Sequence, residues 1–68
     1  MNIVFAASFQ GDDFKVIEEE NGLFTAEHLA DNAESLFCQA FTNKGTAVKA
    51  LLSRINSWAT DFETGAAE

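Results

Sequence analysis

His28 and Cys38 are the side chains of this sequence best suited to chemistry at neutral pH, and Asp31 stands three residues after the histidine. On a helix, a histidine with an acid at i+3 can bind a metal or serve as a general base. No third ligand stands at compatible spacing. One histidine and one cysteine close a zinc site only if two carboxylates join them. Cys38 would need a cationic or histidine neighbour to become a thiolate, yet on a helix its near charged neighbour is Glu34, and His28 is about three turns away. Ser8, Ser35, Ser53 and Ser57 have no histidine-and-acid arrangement that their spacing could support. The 4 glycines fall singly at turns, so no loop cradles a phosphate. A chain of 68 residues also keeps little volume for a concave pocket once its core is filled. The expectation is no enzyme, no metal and no cofactor. His28 then reads as a surface histidine near a helix start, and Cys38 as a partly buried small apolar residue.

Carboxylates dominate the remaining polar residues. The net charge is −7, and its acids crowd the first half: Asp12, Asp13, Glu18, Glu19, Glu20, Glu27, Asp31 and Glu34 stand against Lys15 alone. Residues 35–60 carry Lys44, Lys49 and Arg54 and no acid, and Asp61, Glu63 and Glu68 follow. Phosphate binding requires a basic surface, so direct contact with nucleic acid or an anionic membrane is disfavoured. A basic protein is the natural complement, and those eight residues form the expected partner-binding surface. The plainer alternative is a solvated or internally paired acidic face, with Arg54 near Glu34 and Leu36 and Lys49 near Phe41.

The element that organises the chain is Thr46 to Thr64. There Val48, Leu51, Leu52, Ile55, Trp58, Ala59 and Phe62 hold one apolar face at helical spacing. Ahead of it, Asn2 to Phe9 alternates as a strand, Gln10 to Asp13 reads as a turn, and Phe14 to Glu20 reads as a second strand with Phe14 and Val16 inward. Asn21-Gly22 signals a tight turn. It leads either to a short third strand at Leu23-Phe24 or to a helix capped by Thr25. The stripe Leu29, Ala33, Leu36, Phe37, Ala40 and Phe41 favours the helix, over about 26–42. Asn43-Lys44-Gly45 then reads as a stop and Thr46 as the next cap, with a second helix over 46–63, a stop at Gly65 and a frayed tail over 64–68. Phe41 and Val48 are seven apart, so one unbroken helix from 26 to 63 is the competing reading. The expected fold is a single two-layer α+β domain over 1–68, an N-terminal antiparallel β-hairpin packed on two C-terminal amphipathic helices.

A domain this small buries a modest fraction of its surface, and 1 cysteine provides no internal disulfide. A dense phenylalanine core or self-association must stabilise it. A lone thiol suits a reducing compartment, the N-terminus lacks the basic start of a secretory signal, and no stretch approaches a membrane span, so a cytoplasmic protein is expected. Trp58, Ile55 and Ile17 are candidate interface anchors. Arg54 and Trp58 stand at i,i+4 and could form a cation–π pair.

No motif matches a family. In type and composition the chain resembles the small acidic α+β proteins with which phages and mobile elements inhibit host defence systems, and acidic mimics of nucleic acid. That likeness implies an inhibitor or regulator that blocks a basic, nucleic-acid-handling protein by electrostatic mimicry. The alternative is a homodimeric structural or regulatory subunit whose acids only solubilise it.

Overall fold

Four antiparallel strands and one helix make up the molecule. The computed structural model describes the backbone of residues 2–67 and the side chains of residues 2–57. Strand β1 spans Asn2–Phe9, β2 Asp12–Glu18, β3 Phe24–Leu29 and β4 Ser35–Phe41, and helix α1 spans Lys44–Ala67. The strands form one sheet in the order β1-β2-β3-β4, each antiparallel to its neighbour. The architecture is a small α+β fold, but it is neither a hairpin on two helices nor a hairpin beside one long helix. The segment expected as a helix over 26–42 is the third and fourth strands.

Local chemistry explains the correction. Along β3, Ala26 and His28 are buried while Thr25, Glu27 and Leu29 are only half-buried, a period of two. Between β3 and β4, Asp31-Asn32-Ala33-Glu34 makes a turn. The Asn32 side-chain oxygen accepts from the Glu34 amide at 3.0 Å, and Ala33 takes a positive φ of 70°. The Ala30 amide donates to the Glu34 carbonyl at 2.8 Å and the Ala33 amide to the Ala30 carbonyl at 2.8 Å. An Asx turn thus outcompetes helix propagation where the apolar stripe had suggested continuity.

The other turns follow the same physics. Gln10 and Gly11 have φ of 54° and 85°, both positive, which is the two-residue hairpin geometry matched to sheet twist. Phe9 therefore pairs with Asp12, and β2 starts two residues earlier than expected. At Asn21-Gly22 the glycine has φ 87°, the Asn21 side chain accepts from the Leu23 amide at 3.0 Å, and the Glu19 amide donates to the Leu23 carbonyl at 2.9 Å. Asn43 caps the helix, its side-chain oxygen accepting from the Thr46 amide at 2.8 Å. Asn43-Lys44-Gly45 is therefore a helix start and not a stop. The helix begins ahead of Thr46 and continues through Gly65.

The helix covers one face of the sheet, over β2, β3 and β4. Phe14, Val16, Ala26, Ala47 and Leu51 are fully buried between the layers, with Val4, Phe5, Phe9, Phe24, Phe37, Phe41, Val48 and Ile55 packed around them. The stripe is rotated from its expected centre: Ala47 is buried and Leu52 is 49% exposed. No second layer covers the opposite face among the described residues, which carries Ile3, Ala6, Ile17, Lys15, Thr25, Glu27, Leu29, Cys38 and Ala40 by register.

Candidate functional site

A buried polar row crosses the core from β2 to the helix. Asp12 starts β2 with its side chain on the helix-covered face, the face shared by Phe14 and Val16. His28, on β3, lies directly across from Phe14 and is 1% exposed. Its Nε2 is 2.8 Å from Asp12 Oδ2, and its Nδ1 is 3.2 Å from Nη2 of Arg54 on the helix. A guanidinium only donates, so Nδ1 must accept and Nε2 must carry the hydrogen that it gives to the Asp12 carboxylate. The phenyl ring of Phe14 stacks on the imidazole with centroids 4.1 Å apart and planes at 26°. The guanidinium carbon of Arg54 lies 4.5 Å from the centre of the Phe37 ring, a cation–π contact. Arg54 Nε is buried without a hydrogen-bond partner among the described residues.

Chemically, this row is a tether. Both imidazole nitrogens are engaged within the protein, so neither faces a substrate in this geometry. The expected surface position for His28 near a helix start is corrected: it is a buried strand residue, because β3 alternates and places it inward. Asp31, its expected companion, lies in the exposed β3–β4 turn. Cys38 lies on β4 across from Glu27 and is exposed, a correction of its expected partial burial. Among the described residues, no three His, Cys, Asp or Glu side chains converge as a metal site.

By register Asp13 and Glu27 lie on the uncovered face and Glu18 on the helix-covered one, while Glu19, Glu20, Asp31 and Glu34 stand beyond the strand ends. Asp12 leaves the expected set for the core, where it binds His28. Asp13, Asp31 and Glu34 gather at one end of the sheet, the end where Gly11 approaches the Asp31 side chain. Glu18, Glu19 and Glu20 stand at the other end, and Glu27 faces Lys15 across β2 and β3 in mid-sheet. The two ends are separated by the length of a strand, about 17 Å for about five residues at roughly 3.3 Å each. At the Glu19–Glu20 end lies a shallow open depression of about 580 Å³, lined by Glu19, Glu20, Asn21, Leu23, Thr25 and Ala40. Lys44 and Lys49 are exposed on the helix, away from that face.

Of the expected anchors, Ile17 lies on the uncovered face opposite Ile3 and Thr25. Ile55 packs against the core, and the Trp58 side chain lies outside the described residues. Arg54 meets the Phe37 ring and His28, and its expected pair with Trp58 lies outside the described residues. Sequence reasoning missed Leu23, Thr25 and Ala40 as lining residues. The available signal was the two-residue alternation of Thr25, Glu27 and Leu29 after an Asn-Gly turn.

Compared with known proteins, the chain matches no family model, no curated protein and no solved structure. No helix is long and apolar enough to cross a membrane among the described residues.

Proposed function

We propose that this chain is a non-enzymatic protein-binding module that docks a basic, nucleic-acid-handling protein on the uncovered face of its sheet. It would act as an inhibitor or regulator by occupying a surface that otherwise meets nucleic acid, as small phage or mobile-element anti-defence proteins do. The observation that carries this reading is the uncovered sheet face, bounded by Glu19 and Glu20 at one end and Asp13, Asp31 and Glu34 at the other. Among the described residues, no lysine or arginine lies within 4 Å of a rim carboxylate, so the rim carries no intramolecular counter-charge at contact distance. A lysine or arginine side chain entering the depression would meet two carboxylates beside the apolar surface of Leu23 and Ala40, which suits the stem and head of such a side chain. A single exposed thiol supports a reducing, cytoplasmic setting.

The test is amide chemical-shift mapping with an arginine-rich peptide at low salt. Shifts centred on Glu19, Glu20, Leu23, Thr25 and Ala40, lost in the Glu19→Gln/Glu20→Gln variant, support the proposal. Shifts centred on the helix, or unchanged by the double substitution, overturn it.

A further inference from the structure

We propose that β4 is a self-complementary edge through which two copies of this chain join their sheets, antiparallel, about a two-fold axis at Cys38. This goes beyond the docking of a basic protein and is carried by the β4 backbone edge, although Ala40, Asp31 and Glu34 also border the proposed docking face. Strand β4 is last in the sheet order, so among the described residues one row of its backbone donors and acceptors has no strand beside it. Proteins normally blunt such an edge with charge, proline or a covering element. The seven residues Ser35–Phe41, SLFCQAF, include no charge, no proline and no glycine. Five of the seven are exposed, Leu36 at 42%. Both edge strands carry a bulge near their start, β1 at Val4 and β4 at Leu36, so the rest of β4 runs regularly from Phe37 to Phe41.

Charge fixes the occupant and its direction. The strand follows an acidic turn, Asp31 and Glu34, and precedes Lys44 at the head of the helix. Antiparallel pairing of two copies about Cys38 sets Leu36 against Ala40 and Phe37 against Gln39. It also brings the end of β4 that leads to Lys44 in one copy toward the β3–β4 turn of the other, which carries Asp31 and Glu34. Each copy thus presents a neutral strand to a neutral strand, with its lysine against the other copy's acids. Parallel pairing would instead put like charge on like. A two-fold contact of this kind closes on itself and yields a dimer, not a fibre. The product is an eight-stranded sheet with both helices on one face and both acidic faces on the other.

Cys38 provides the probe. At the axis the two cysteines stand directly across from one another, with Cβ atoms about 4.5–5.5 Å apart, close to the separation a disulfide requires. Sedimentation velocity over a concentration series, paired with mild oxidation by copper-phenanthroline, tests the arrangement. The expected result is a monomer–dimer equilibrium in which oxidation traps Cys38-linked dimers. Ala40→Lys, which puts on an exposed β4 position the kind of charge that blunts a sheet edge, should raise the dimer dissociation constant about tenfold or more and cut the crosslink yield. Leu52→Lys, at an exposed helix site, should leave both unchanged, as should Glu19→Gln/Glu20→Gln. A chain that stays monomeric throughout, a dimer that Ala40→Lys leaves intact, or a dimer without the Cys38 crosslink would each overturn the proposal.

Discussion

A carboxylate, an imidazole and a guanidinium buried in one row make each depend on the next. Arg54 holds His28 from the helix side, and Asp12 holds it from the sheet side. Removing the guanidinium leaves His28 Nδ1 without that donor and strips the Phe37 ring of its cation. Arg54→Ala should therefore destabilise the fold by about 1–3 kcal/mol, measured by urea unfolding. Arg54→Lys should recover little of this, since an ammonium lacks the planar fork that spans His28 and Phe37 together. If Arg54→Ala unfolds at the same urea concentration as the wild type, the row is not the link between helix and sheet. The row was hidden from sequence reading because its members are 16 and 26 residues apart, and only strand registers bring them together. Sequence spacing had paired His28 with Asp31 on a helix, and that pairing vanished once the segment proved to be a strand.

At the scale of elements, turns decide which reading of a stretch wins. Ala33 has φ of 70° without being glycine, a conformation that costs an L-residue backbone energy. Ala33→Gly should relieve it and stabilise the chain by about 0.5–1 kcal/mol. Gly22 has φ 87°, and nothing lies within 4 Å of the point where a Cβ would stand, so Gly22→Ala isolates backbone strain. That substitution should cost about 1–2 kcal/mol. Thermal unfolding of both variants checks the pair. A helix over 26–42 would reverse the Ala33→Gly sign, because glycine in a helix interior destabilises. The extent of β1 and the turn at Asn21-Gly22 were legible, since alternation and a positive-φ glycine act locally. The third and fourth strands were not. Leu29, Ala33, Leu36, Phe37, Ala40 and Phe41 fit a helical stripe by spacing, while the Asn32 side chain breaks that continuity through a bond no periodicity reveals. The same holds at Asn43, whose cap starts a helix just where Gly45 reads as a stop.

At the scale of the molecule, one layer of helix on one face of a sheet leaves the chain two-sided. The covered side holds the phenylalanine-rich core and the Asp12–His28–Arg54 tether. The open side carries Ile3, Ile17 and Leu29 between acidic ends. The charge asymmetry was readable from composition. Its division between two ends of a sheet was not, because that division depends on the strands placing Glu19 and Glu20 a strand length from Asp31 and Glu34. Electrostatic docking predicts a strong salt dependence, since exposed charges are screened beyond about 8–10 Å at physiological ionic strength.

The most direct measurement is the affinity of an arginine-rich peptide for the wild type and for the Glu19→Lys/Glu20→Lys/Asp31→Lys variant over a salt series, with melting temperatures recorded alongside. The wild type should bind best at low salt and weaken as salt rises. The variant should lose about tenfold or more at low salt, with its stability changed by no more than about 0.5 kcal/mol. Equal binding by the two proteins across the series would contradict the assignment of the open, acid-rimmed face as the docking surface.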